Sequence, residues 1–340
     1  MTFRVGIIGS GNISETHARA AAETDGVELV ACWGRNPVAS ARLAQTFGAT
    51  SFASLDALVS HRPLDAVLVG TPSGVHAEHA LAAVRQGLHA LVEKPLDITL
   101  AKVDALLAES AQRGTTIGVF FQDRTAPDLV WLKHLIESGG LGTLVIASTS
   151  VRWYRPPEYY AGSKWRGTKA LDGGGALMNQ GTHSVDLLLW LFGDVARVSS
   201  FARTALHRIE VEDTLVASLE FRNGAVGTFE VTTAAYPGFP RRMAFTGTEG
   251  SVVVEGDRVT EVALRTTPAT PPPQRAGNTS ASSSSPVVAD VEGHKRVLRD
   301  FVAAVRDGGA PLCDGREGRR SVALAVAMYE SARTGNVVEL

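Results

Sequence analysis

The stretch "FRVGIIGSGNIS", Phe3 to Ser14, decides the fold. "FRVGIIG" has the apolar, β-branched make-up of a strand buried on both faces, and a glycine turn follows at once. Gly9 permits a tight turn. Gly11 lets the backbone approach a pyrophosphate at the start of the next helix, which Asn12 and Ile13 open. Ser14 stands where the usual G-x-G-x-x-G has its third glycine. Two glycines alone are a weak signal, since a ligand-free turn reads the same way. Their place between a strand and a helix is the context a dinucleotide site needs.

Outward from that turn, residues 1 to 122 alternate strand and helix patterns: "VELVACWG", "PVASARLAQTFG", "LDAVLVGTP", "VHAEHALAAVRQG", "HALVEKP", "TLAKVDALLAESAQRG", "TTIGVFFQ". This predicts an α/β Rossmann domain, a doubly wound parallel sheet. Beyond Gln122 the rhythm changes. A helix is expected over 127–138, a strand over 143–152, an aromatic-rich irregular segment, one helix over 176–192, then alternating strands through 195–263. Residues 123–340 therefore read as an α+β domain with a large, mostly antiparallel open sheet. The Pro- and Ser-rich stretch 267–286 reads as an exposed mobile loop. Two helical patterns, 291–307 and 317–334, close the chain and are free to pack back on the first domain.

Composition fits this division. A chain of 340 residues exceeds a comfortable single core, and 44% hydrophobic with 20% charged residues is ordinary for a globular protein. A net charge of −2 with no long basic run argues against nucleic acid or an anionic membrane as partner. No signal-peptide pattern opens the chain. No apolar run approaches the ~20 residues of a membrane span. Cys32 and Cys313 give neither a metal spacing nor a disulfide framework. A cytoplasmic protein without a metal is expected.

Side chains at the carboxyl ends of parallel strands face the ligand crevice. Lys94, in "LVEKPL", ends such a strand, where an ammonium can hold or move a proton beside a nicotinamide. Pro95 fixes its backbone, and Glu93 is placed to orient polar neighbours. Thr71, Pro72 and His76 follow the preceding strand and Gln122 the last one, so all four join the expected cofactor set, together with Glu93 and Lys94. The second strand ends in Gly34-Arg35, where an NAD site would carry an acid. An acid repels a 2′-phosphate and an arginine pairs with it, which leans the reading toward NADP over NAD. In "GGGALMNQGTHSVD", Asn179, His183 and Asp186 fall near one helical face. Gly173, Gly174 and Gly175 allow close approach of another backbone or a ligand. Arg124 reads equally as a ligand contact or a structural ion pair.

"GSGNIS", "VGTPSGVHAEHALAAVRQGLHALVEKPL" and "GGGALMNQGTHSVDLLLWLFG" together resemble the glucose–fructose oxidoreductase/inositol dehydrogenase/rhizopine-catabolism (Gfo/Idh/MocA) family. The resemblance extends to "DGREGRRSVALAVAMYESARTG". It implies a Rossmann domain followed by an open-sheet domain that commonly pairs subunits into homodimers or homotetramers. It implies hydride transfer between NAD or NADP and a carbinol of a sugar, cyclitol or sugar derivative. Lys94 is implied to lie in the active site, His183 to be the usual acceptor of the hydroxyl proton, and Asp186 to stand behind it. "YYAGSKWRGT" resembles the family segment near nicotinamide and substrate, which puts Tyr160, Trp165 and Arg166, with Asn179, in the substrate set; an aromatic-rich loop that packs only on its own domain is an equal alternative. Tyr154 and Tyr159 are weaker members. Many members carry Asp where this chain has Asn179, which opens the division of acid–base work between Lys94 and His183. Two other readings stay open, a glycosidase-like enzyme with tightly held NAD and a catalytically silent nucleotide-binding regulator. The joint presence of Lys94 and His183 favours an enzyme.

Overall fold

The structure is a computed structural model and describes residues 2–267, 271–273 and 290–340. The stretch 267–286, expected as a mobile loop, lies outside the described residues except for 267 and 271–273. The chain forms two compact units. One comprises Met1–Gln122 and Val287–Val322, the other Asp123–Pro286 and Ala323–Leu340. The C-terminal segment is thus divided between the two.

In the first unit, strands β1 (Phe3–Ile8), β2 (Val27–Trp33), β3 (Thr50–Ser51), β4 (Ala66–Val69), β5 (His89–Val92) and β6 (Ile117–Val119) form a parallel sheet. Their order is β3-β2-β1-β4-β5-β6, with the reversal at β1/β4. β4 is buried throughout and β5 nearly so, as a sheet covered on both faces requires. Helices start at side-chain caps from Asn36 and Ser54 and stop at left-handed Gly48 and Gly114. The helix Glu292–Asp307, far away in sequence, completes this core through Val297, Leu298, Phe301 and Val302. Gly118 makes room for it, since a Cβ there would stand 2.8 Å from the Phe301 ring.

The second unit is built on eight strands: β7 (Leu144–Arg152), β8 (Val195–Arg203), β9 (Thr214–Phe221), β10 (Val226–Thr232), β11 (Arg242–Gly247), β12 (Gly250–Glu255), β13 (Arg258–Leu264) and β14 (Val338–Glu339). Their order is β13-β12-β11-β7-β10-β9-β8-β14, and only the β7–β10 pair is parallel. Alternation sends one face of β7, β9 and β10 into the core. The other face leaves Ile146, Phe201, Val216 and Val226 exposed.

The helix expected over 176–192 is two pieces. Ala176–Gly181 winds as a π-helix and Thr182–Phe192 as an α-helix. The opening amides do not rely on the helix for acceptors. Gly175 and Leu177 donate to the Glu212 carboxylate at 3.0 and 2.8 Å, Ala176 to the Glu212 carbonyl at 3.0 Å, and Met178 to the Tyr329 hydroxyl at 3.1 Å. Four N–H groups that a helix start leaves open are met from outside, so the first turn is free to widen. Such π turns recur at functional sites.

Candidate active site

The carboxyl edge of the first sheet gathers most of the expected cofactor residues. After β1 the chain turns at Gly9, with φ +131°. A Cβ there would lie 2.4 Å from the Gly70 carbonyl oxygen, so only glycine fits. Gly11 has open space where its Cβ would point, and Asn12 and Ile13 begin the helix Asn12–Ala22 behind it. Ser14 replaces the third glycine without crowding the turn, because its hydroxyl turns to the Gly70 carbonyl at 3.3 Å. This glycine cradle at a helix N-terminus fits a dinucleotide pyrophosphate.

At the end of β2, a Cβ on Gly34 would stand 2.5 Å from Ser10 Oγ. The position that would carry a ribose-reading acid is closed to a side chain. Arg35 beside it is exposed. After β4, the Thr71 hydroxyl meets His79 Nδ1 at 3.0 Å, and Pro72 is half-buried. Burial, with Arg35 contributing, lowers the His79 pKa to about 4. His76 is almost fully buried. Its Nδ1 lies 2.7 Å from the Pro95 carbonyl and its Nε2 2.7 Å from that of Thr71, so the ring ties the two strand ends together. His76 thus braces the wall on which the sequence had placed it as a cofactor residue. After β5, Lys94 is half-buried and its amide donates to Glu93 Oε2 at 3.1 Å. The Lys94–Pro95 peptide is cis. Gln122 follows β6 and packs on Gly293.

In the second unit every residue from Gly174 to Leu189 is buried except Asn179 and His183. Of the three side chains singled out there from sequence, Asn179 and His183 are partly exposed and Asp186 is buried. The Asn179 amide donates to Asp172 Oδ1 at 2.6 Å, and its oxygen accepts from Gln180 Nε2 at 3.1 Å. Asp172 is buried and also takes the Gly167 amide at 2.7 Å. A carboxylate thus stands one hydrogen bond from position 179. Asp186 and Arg124, both fully buried, form the ion pair that was one of the two readings of Arg124.

The aromatic segment supplies a cation-rich wall. The Arg166 guanidinium lies 4.5 Å from the Tyr159 ring centroid and 5.2 Å from that of Trp165. Arg155, which the sequence reading passed over, lies 5.7 Å from the Tyr159 ring and donates to Gln180 Oε1 at 3.0 Å. Burial lowers its pKa. An arginine set among aromatics in "WYRPPEYY" was the available signal. Tyr160 turns inward instead. It is 7% exposed, bonds Thr233 Oγ1 at 3.0 Å and packs at a tilt against the His207 ring, and burial raises its pKa. Its ring is thus held within the core of its unit, where the sequence had placed it among the substrate residues.

Residues 3–121 match the oxidoreductase family with an NAD-binding Rossmann fold, and residues 129–253 match the GFO/IDH/MocA C-terminal domain. The chain belongs to the Gfo/Idh/MocA family. It is an NAD-binding oxidoreductase. The crystal structure of the WlbA dehydrogenase from Bordetella pertussis, in complex with NADH and UDP-GlcNAcA, superposes with a TM-score of 0.89 at 34% identity, over 100% of this chain and 99% of that one. D-apiose dehydrogenase from Paraburkholderia graminis is 27% identical across 99% of this chain and 90% of its own length. Inositol 2-dehydrogenase 3 from Saccharopolyspora erythraea is 27% identical across 99% and 95%. Among the described residues no helix is long and apolar enough to cross a membrane.

Proposed function

We propose that this Gfo/Idh/MocA enzyme oxidises a secondary hydroxyl of a sugar acid or nucleotide-linked sugar acid. The observation that carries the reading is the exposure pattern of Asn179 and His183, the two side chains that leave an otherwise buried segment. NAD(P) held at the carboxyl edge of the first sheet would supply the hydride acceptor or donor. The chain's own residues do the rest. Gly9 and Gly11 seat the pyrophosphate. Lys94, carried by β5, and His183 hold and move the hydroxyl proton. Imidazole suits that role because its ordinary pKa lies near neutrality. Asn179, anchored by Asp172, orients a substrate hydroxyl.

The acidic substrate class rests on Arg166, half-buried against Tyr159 and Trp165, with Arg155 behind it. Planar guanidiniums held by aromatic faces are suited to carboxylate or phosphate. The similarity to an enzyme crystallised with UDP-GlcNAcA supports the same class. For the cofactor, the closed Gly34 position beside exposed Arg35 favours NADP. A panel of neutral sugars, cyclitols, sugar acids and UDP-linked sugar acids, followed at the reduced-nicotinamide band, tests the reading. Turnover is expected with the acids. Turnover of inositol or neutral aldoses alone would refute the acidic class, and hydride transfer with none of the panel would favour a regulator.

A further inference from the structure

The first unit contains a buried cluster that the proposed reaction does not use. His17, Glu93 and His294 come from the helix Asn12–Ala22, the end of β5 and the helix Glu292–Asp307, with 0%, 7% and 2% of their surfaces exposed. His17 Nε2 lies 3.0 Å from Glu93 Oε1, and His294 Nε2 lies 3.9 Å from the same oxygen. The other oxygen, Oε2, accepts the Lys94 amide. The His17 ring is fixed by stacking on Phe120, 4.3 Å between centroids at 14°. Gly70 leaves it space, since a Cβ there would stand 3.3 Å from His17 Cε1.

We propose that His17 and His294 hold Glu93 as a buried anion, and that this anion positions Lys94. A carboxylate taken out of water is costly unless it is paired and hydrogen-bonded. Burial alone would raise the Glu93 carboxyl. The His17 hydrogen bond and charge, with His294 and Lys94 beside it, bring it down to about 2. Its two oxygens have separate tasks. Oε1 faces the imidazoles, and Oε2 fixes the backbone from which the Lys94 side chain leaves. The same anion favours the charged form of the neighbouring ammonium. Because His17 sits on the helix behind the glycine turn, one clamp links the phosphate cradle to the lysine. The three donor atoms lie within 4.8 Å of one another, close enough for a cation. Such a set would suit an open zinc site only with water as a fourth ligand, whereas here all three side chains are buried and His17 Nε2 already meets Oε1 at hydrogen-bond distance, 3.0 Å, so the clamp is assigned to proton-bearing groups. Glu93, His17 and His294 are positioning residues.

The inference rests on Lys94 being the reacting lysine, and its test needs no substrate. Competitive acetylation of the purified full chain with acetic anhydride across pH, read by peptide mass spectrometry, gives the Lys94 titration midpoint. In Glu93→Gln that midpoint should fall by about one unit through loss of the anion. His17→Leu strands the carboxyl, which takes up a proton, and should shift Lys94 the same way. His17→Gln keeps a donor and should restore most of the parent behaviour. Unchanged midpoints in Glu93→Gln and His17→Leu overturn the proposal. So does loss of folding in all three variants, which would make the cluster purely structural. Stoichiometric metal surviving dialysis against chelator would also overturn it. If Lys94→Met leaves hydride transfer intact, the proposed function fails while the clamp measurement still stands.

Discussion

Arg124 grips Asp186 through two parallel hydrogen bonds, Nε to Oδ2 at 2.8 Å and Nη2 to Oδ1 at 2.6 Å, with side chains 2% and 1% exposed. Asp186 lies one helical turn beyond His183, so the pair anchors the helix that presents the imidazole. Removing one partner leaves a buried charge uncompensated, at about 3–5 kcal/mol. Asp186→Ala should lose about that much in urea unfolding. The Arg124→Met/Asp186→Leu double variant should lose much less, because neither charge is stranded. Equal losses would mean that packing, not charge pairing, dominates.

Tyr329 closes a second anchor. Its hydroxyl accepts from the Met178 amide and donates to Glu212 Oε1 at 2.9 Å. Glu212 in turn serves Gly175 and Leu177, and burial raises its carboxyl above the usual range. Tyr329→Phe strands the Met178 donor and should cost about 1–3 kcal/mol, measured by urea unfolding. A cost indistinguishable from zero would show that the widened turn does not need this acceptor.

The parts legible in the sequence were those set by short-range pattern. Strand–turn–helix alternation gave the parallel sheet, and Gly9 announced a turn that no Cβ fits. The π turn was hidden, because its cause is Glu212 and Tyr329, which lie 33 or more residues further along the chain from Asn179. The glycines before it were read as room for a backbone or a ligand. They face the Glu212 backbone and the Tyr329 ring, since Cβ atoms on Gly175 and Gly174 would strike them. Tyr160 and Tyr159 are neighbours with opposite fates, and nothing local tells which ring turns inward. His17 and His294 were invisible as partners of Glu93, because sequence spacing cannot pair residues 76 and 201 positions apart (93 − 17 and 294 − 93).

The proposed preference for NADP rests on two adjacent residues. Arg35→Ala should weaken NADP binding by one to two orders of magnitude, about 1.4–2.8 kcal/mol, and leave NAD nearly unchanged. Gly34→Asp should not convert the enzyme to NAD. Its Cβ would press on Ser10 in the phosphate loop, so affinity for both cofactors should drop. Titration by nicotinamide fluorescence measures both. Equal loss of NAD and NADP in Arg35→Ala would show that Arg35 does not read the 2′-phosphate.

The open sheet face should pair subunits. Phe201 on β8 registers against Val216 on β9, and Val226 on β10 against Ile146 on β7, all exposed. Apolar pairs on one sheet face mark a surface to be covered. Light scattering at micromolar concentration should give a dimer or tetramer, and Phe201→Arg with Val216→Arg should reduce it. A monomeric parent protein would reject this interface.

Lys94 is the residue on which the proposed chemistry turns. Its backbone is held by Glu93 Oε2 and followed by a proline whose carbonyl is braced by His76. Lys94→Met keeps most of the stem and removes the charge, so packing should survive. kcat should fall by roughly 10²–10⁴, the range for a lost general acid or base, with cofactor affinity changed far less. His183→Ala should act in the same direction. If the two groups handle one proton, the double variant should lose much less than the product of the single losses. The measurement is single-turnover hydride transfer with cofactor prebound, using the sugar that the substrate panel identifies. Transfer by Lys94→Met at near the parent rate would make Lys94 a cofactor anchor, and His183 would then have to account for the proton alone.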